Sequence, residues 1–161
     1  AVHCRTRSCG YKGEAEYETI ANIASSVSMP VFANGDIDSP IKAKQVLEKT
    51  GCTAVMIGRA AQGKPWLFRE IDHYLRTGTM LPPPDLKEVR EILLGHLQEL
   101  HQFYGDYMGV RIARKHVGWY LQNRPDGSSF RKQFNTIELA ADQTAAIESF
   151  FDNASSPNVA A

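Results

Sequence analysis

Long apolar runs, a disulfide framework and an excess of one charge are all missing from this 161-residue chain. No stretch approaches the ~20 apolar residues needed to cross a bilayer. The opening residues carry His3, Arg5 and Arg7 and lack a signal-peptide apolar core. The three cysteines, Cys4, Cys9 and Cys52, are odd in number and fit neither paired disulfides nor zinc-ligand spacing. A reducing cytoplasm, no membrane and no metal are therefore expected, with Cys52 a small core residue. There is no initiator Met and the chain opens straight into chemistry-bearing residues, so a truncated chain is expected; there is no internal repeat. Eighteen Lys and Arg balance eighteen Asp and Glu. What is present, 43% hydrophobic and 22% charged residues, reads as one globular domain or two small ones.

The first half alternates strand and helix signals. Val2-His3 reads as a strand end, followed by a helix over Glu14–Ser26 with Tyr17, Ile20, Ala21 and Ala24 on one face. Pro30 opens a strand over Val31–Asn34. Asp38 or Ser39 caps the next helix with Pro40 at its start, where a missing N–H costs nothing. That helix is expected to bury Ile41, Ala43, Val46 and Leu47 and to stop at Gly51. A strand over Thr53–Ile57 and a helix over Trp66–Arg76 follow. Such repeats imply right-handed βαβ units in a parallel sheet. Pro82-Pro83-Pro84 is a stiff connector, after which the pattern is helical only. Asp85 caps a long helix with Val89, Ile92, Leu93, His96, Leu97, Leu100, Phe103 and Tyr104 on its buried side. A Gly105–Gly109 turn leads to a helix over 110–122, then a short helical turn over 129–134. The last helix, about 136–151, is expected to bury Ile137, Ala140, Ala141, Ala145, Ile147 and Phe150. The expected fold class is α/β plus all-α: three βα units of a TIM (β/α)₈ barrel, too few to close alone, then a small helical bundle. The expected boundaries are 1–78, a proline-rich linker 79–84, a helical domain 85–153 and a disordered tail 154–161.

Two apolar runs end in glycine beside a charge: Val31-Phe-Ala-Asn34-Gly35-Asp36 and Val55-Met-Ile-Gly58-Arg59-Ala60. Glycine lets the backbone approach a ligand, and the loops after the last two strands of a barrel often form a phosphate site. Asn34 can donate through its amide. Asp36 repels an anion, but can accept from a ligand hydroxyl or cap the next turn. After Gly58 a short helical turn exposes N–H groups, and Arg59 adds a bidentate charge. Plain strand-to-helix turns and a surface ion pair at Arg59 are the unexceptional alternatives. His3 lies at the strand end where barrel enzymes do chemistry; it suits a hydrogen bond to a cofactor or simply to a neighbouring carbonyl. Arg5 and Arg7 either hold phosphates or fix the loop.

The charge is unevenly spread. Between Tyr107 and Lys132 six bases (Arg111, Arg114, Lys115, Arg124, Arg131, Lys132) meet one acid, Asp126. Arg111, Arg114 and Lys115 share a helical face, with Ile112, Trp119 and Tyr120 turned toward the bundle. That face fits a grip on a phosphate backbone, although solvated basic faces are common.

Taken together, His3-Cys-Arg5-Thr-Arg7, Gly13-Glu-Ala-Glu-Tyr17, Ala33-Asn-Gly-Asp-Ile37, Met56-Ile-Gly-Arg-Ala-Ala-Gln-Gly-Lys-Pro-Trp66 and Arg111-Ile-Ala-Arg-Lys-His116 closely resemble bacterial tRNA-dihydrouridine synthases of the B type. The likeness runs from Val2 to about Phe151. It implies a flavin-binding barrel followed by a tRNA-gripping helical domain, in which FMN reduced by NADPH passes hydride to a D-loop uridine. Asn34, Gly35 and Asp36 fall on the first FMN-phosphate segment and Gly58 and Arg59 on the second. His3 matches the histidine beside the flavin ring. Arg111, Arg114 and Lys115 fall on the tRNA-facing helix, and Arg5 and Arg7 are expected to join them. The family's general acid is a cysteine on an earlier strand-loop, a place that none of Cys4, Cys9 and Cys52 occupies. The chain alone is therefore expected to be inactive and to need the preceding half of the barrel. Two other readings stay open: a flavin or phosphate-binding barrel oxidoreductase acting on a small molecule, and a non-catalytic tRNA-binding module.

Overall fold

The computed structural model describes residues 1–5, 16–124 and 126–155. The chain divides between Pro82 and Pro83 into two compact units. In the first, an α/β unit, β1 (Val2–His3), β2 (Phe32–Asn34) and β3 (Ala54–Met56) form a parallel sheet in sequence order. Between and after them run α1 (Glu18–Ser26), α2 (Pro40–Thr50), a 3₁₀ turn (Arg59–Ala61) and α3 (Leu67–Thr77). Helix α1 packs on α2, and α2 on α3.

Local chemistry sets most of these boundaries. The Ser39 hydroxyl caps α2 by accepting from Lys42 N, with Pro40 as the first helical residue. Gly51 ends α2, and Gly78 ends α3, in left-handed conformation, which glycine adopts without a Cβ penalty. Two expectations are corrected. Helix α1 starts at Glu18 rather than Glu14: Tyr17 is its N-cap residue, and the Glu16 carboxylate accepts from Thr19 N in the first turn; residues 14 and 15 lie outside the described ones. Ile41 is exposed rather than buried. The inward stripe of α2 is Pro40, Ala43, Val46 and Thr50, and Ile41 stands about 100° away from Pro40.

One face of the sheet is covered. Ala33 is fully buried with Val31, Ala43 and Val46, and Val2, Val55 and Ile57 border that core. The other face carries Phe32 and Met56, 45% and 51% exposed.

The second unit is helical: α4 (Leu86–Leu121), α5 (Gly127–Phe134) and α6 (Ala140–Ser155). Asp85 caps α4 by accepting from Glu88 N. Gly105, at φ 72° and ψ 174°, breaks α4 into two arms. His96 on the first arm meets His116 and Tyr120 on the second. Gly109 lies against Leu100 and His101, so closely that a Cβ there would stand 2.9 Å from their backbone. The arms therefore run antiparallel. The expected Gly105–Gly109 turn is a break at Gly105 alone, with Gly109 a helical packing residue.

Leu93, Leu97, Val117, Leu121, Phe134, Ile147 and Phe151 form a fully buried core. Phe103 and Tyr104, expected inside, are exposed. Gly109 of the partner arm packs at Leu100 and His101, and both rings lie between that contact and the break at Gly105. In α6 the inward stripe is Gln143, Ile147 and Phe151, which leaves Ala141 and Ala145 exposed, contrary to expectation. The helix begins at Ala140 because Thr136 and Ile137 donate back to Gln133 and Phe134, continuing the end of α5. The expected disordered tail of 154–161 is corrected at its start, because Ala154 and Ser155 end α6; residues 156–161 lie outside the described ones.

Candidate functional site

Parallel pairing aligns the two glycine segments. Asn34 stands opposite Met56, and His3 opposite Asn34. Strands in register end at the same edge, so Gly35 and Gly58 open side by side at their carboxyl ends, where open parallel sheets bind ligands. His3, Asn34 and Met56 also share the face opposite Ala33. Together with Gly35, Asp36, Gly58 and Arg59 they line a cavity of about 660 Å³.

The first turn is held by partners distant in sequence. Tyr17 donates its hydroxyl to the Gly35 carbonyl at 2.7 Å, and burial pushes that phenol up to about 12. Asn34 Nδ2 donates to the Met56 carbonyl at 2.7 Å, which ties the two strand ends together and uses one of the two N–H donors of the amide that the sequence suggested for a ligand. Gly35 has φ 131°, and a Cβ there would fall 1.9 Å from the Cys4 sulfur. Only glycine fits. Burial raises the Cys4 thiol above its ordinary value, so it stays protonated and packs as a small apolar group. Gly58 differs, because a Cβ there would meet nothing within 4 Å. Protein packing accounts for Gly35; at Gly58 the backbone faces open space.

Asp36 sits in the left-handed region at φ 47°. One of its oxygens accepts from Arg5 Nη2 and the other lies 3.4 Å from Arg59 Nη2. The hydrogen bond from Arg5, then the charges of Arg5 and Arg59, hold its carboxyl below the usual range. Asp36 is thus the counter-charge between two arginines, and Ser39, not an aspartate, caps α2. The Arg5 side chain is 5% exposed. Its ion pair with Asp36 turns it inward, a placement closer to the loop-fixing alternative than to a tRNA contact. The Arg59 side chain stays 59% exposed at the rim. His3 Nδ1 accepts from Arg5 N at 3.0 Å, so its proton resides on Nε2. Arg7 lies outside the described residues.

On the second arm of α4 the three expected cations separate. The Arg111 guanidinium lies 4.2 Å from the Tyr107 ring centroid, and Lys115 Nζ 4.9 Å from that of Trp119. Both cations are exposed. Arg114 is half-buried, donates from Nη2 to the Ile137 carbonyl at 3.0 Å, and has its Nε buried without a partner. It joins the helix to the segment before α6, so two of the three offer a solvent-facing charge. Sequence reasoning missed Tyr17 and Cys4, which shape the Gly35 turn; their signal, an aromatic and a cysteine at element ends, also reads as ordinary core. Among the described residues no group of three or more His, Cys, Asp or Glu could hold a metal, and no helix is long and apolar enough to cross a membrane.

Fold and cavity define a class: a parallel α/β protein with its site at the carboxyl ends of its strands, followed by a helical unit. A family model described as Dihydrouridine synthase (Dus) matches residues 1–155, and the chain belongs to that family. Its relatives narrow the class. A Pseudomonas aeruginosa protein named tRNA-dihydrouridine synthase B is 64% identical over 151 residues, covering 94% of this chain and 46% of its own length. Proteins of the same name from Vibrio vulnificus and Escherichia coli K12 are 58% and 56% identical over 156 and 152 residues, covering 97% and 94% of this chain. The matches take up 48% and 47% of those two proteins, so the chain spans about half the length of the curated relatives it matches.

Proposed function

We propose that the chain supplies the flavin-phosphate cradle and the RNA grip of a tRNA-dihydrouridine synthase: the last three units of a (β/α)₈ barrel, then a helical tRNA-binding domain. One observation carries this reading. Two glycine turns from neighbouring strands, with His3 and Arg59, line a single cavity. The residues suit the phosphate of FMN. Arg5 and Arg59 offset Asp36 and Asp38, the two carboxylates that line the cavity, so the anion is met by the exposed Arg59 guanidinium and by the backbone at Gly58, which faces open space. Gly58, Arg59 and the N–H groups of the turn after them hold the phosphate, with the Asn34-Gly35-Asp36 segment forming the opposite wall. His3 donates from Nε2 to the flavin ring system. FMN reduced by NADPH supplies hydride for the 5,6 double bond of a D-loop uridine, in the cytoplasm. Arg111 and Lys115 grip the tRNA backbone, and Arg114 fixes their helix. The general-acid cysteine is none of those in this chain, so the chain alone binds without reducing uridine.

Titrating the chain with FMN and with riboflavin tests the cradle. FMN binds more tightly, and Arg59→Ala weakens FMN but not riboflavin by about ten- to a hundredfold, the value of a charge-assisted hydrogen bond of roughly 1.5–3 kcal/mol. Equal affinity for the two flavins would sink the phosphate assignment. Dihydrouridine formed in a tRNA transcript by the purified chain with FMN and NADPH would overturn its expected inactivity. Joint Arg111→Glu and Lys115→Glu lowers tRNA affinity and flattens its salt dependence by about one unit of slope per lost contact, whereas a small-molecule oxidoreductase would be unaffected.

A further inference from the structure

The bend of α4 carries a dense exposed aromatic surface: Phe103, Tyr104 and Tyr107 are 81%, 48% and 67% exposed, and Met108 beside them is 48% exposed. Single exposed apolar residues are ordinary, but three aromatic rings within five residues at the tip of a hairpin are not. The Phe103 and Tyr104 rings meet edge to face with centroids 4.8 Å apart, so each restrains the other. Beyond the tip, Tyr107, Arg111, Lys115 and Trp119 recur every fourth residue along one face, a stripe about 18 Å long. Its two cations each cover one of its two rings. Asp106 is the one carboxylate from Phe103 to Lys115.

We propose that this tip is a stacking platform for unpaired nucleobases of a folded RNA, continuous with the cationic stripe that holds the adjoining backbone. The inference rests on the RNA-binding part of the proposed function and deepens it. A nucleotide joins a flat apolar ring to an anion, and the surface that matches it sets aromatic faces beside cations. A protein partner seated on an apolar patch would not call for a charge over each ring of the stripe. Rings on a convex tip cannot reach bases stacked inside a duplex, so the platform selects loops, bulges and ends.

The test uses the full chain with three labelled probes: an unmodified tRNA transcript, a 12-nucleotide single strand and a 12-base-pair RNA duplex. Each ring is expected to stack one base, so Phe103→Ala with Tyr107→Ala is expected to weaken tRNA and single-strand binding about tenfold or more. Duplex affinity and the salt slope for tRNA should stay unchanged. Tyr107→Trp should retain binding and Tyr107→Leu should lose it, a pair that also carries the test if the double variant fails to fold. The proposal is overturned if the double variant binds tRNA within twofold of the parent, if duplex and tRNA weaken equally, or if Tyr107→Leu binds like the parent. A dimer of the parent chain in sedimentation equilibrium that the double variant dissolves would also overturn it, assigning the tip to a second copy. Failure of the parent chain to bind any of the probes would instead sink the RNA-binding reading itself.

Discussion

The two units of the chain differ in how much of their own surface they complete. The helical unit closes a core in which Leu93, Leu97, Phe134, Ile147 and Phe151 are all at most 1% exposed. The α/β unit covers one sheet face, where Ala33 is fully buried, and leaves Phe32 and Met56 about half exposed on the other. Parallel sheets are ordinarily covered on both faces. The bare face is also the one that carries His3 and Asn34 to the cavity. One unit is organised around its own core; the other is organised around a site.

Each unit holds one tryptophan, Trp66 or Trp119, so fluorescence of single-tryptophan variants reads each separately. The sharpest contrast is expected from Phe134→Ala, which empties a fully buried position and should lower the urea stability of the helical unit by about 3–5 kcal/mol. A loss below about 1 kcal/mol would mean that the core yields easily. Acid comes next. Burial lowers His96 and His116 below the ordinary imidazole value, and each His116 proton is further opposed by His96 and Lys115. The unfolded chain then binds those protons more readily. The stability contribution is complete above the ordinary value of 6.5 and falls as the pH drops below it. Asp36 shifts in the same direction from a lower starting value, 3.8, so its contribution survives until much stronger acid. Between pH 7.5 and 5.5 the Trp119 signal should lose stability while the Trp66 signal holds; parallel loss would break the contrast. Helix caps should act alike in both units: Ser39→Ala and Asp85→Ala each cost about 1 kcal/mol. Phe32→Ser should change the α/β unit by no more than about 0.5 kcal/mol. A cost of several kcal/mol would reveal that the bare face is covered in solution.

Much of this was legible because it is periodic or local. The strand–helix alternation, the Ser39 and Asp85 caps and the stops at Gly51 and Gly78 follow from residue types within a few positions of one another. Parallel strands then bring Gly35 and Gly58 to one edge with no further information. Long-range partners were not legible. Arg5 and Asp36 are 31 residues apart, and nothing in either segment announces that the arginine will neutralise the aspartate. Arg114 looks like its neighbours until a backbone carbonyl 23 residues away captures it. Phe103 and Tyr104 extend the apolar stripe of their arm, but periodicity does not say where the facing arm begins. Gln143 was passed over because a polar residue in a helix usually faces water.

That glutamine has a consequence of its own. Its side chain, wholly enclosed, donates to the Val110 carbonyl at 3.1 Å and accepts from His101 Nε2 at 2.9 Å, touching both limbs of the bent rod at once. Slide the final helix by one turn, and the enclosed amide of Gln143 would lose both partners, at roughly 1–3 kcal/mol for each group left unpaired. An all-aliphatic seam would tolerate that slip; this one acts as a cotter pin, admitting a single alignment of three rods.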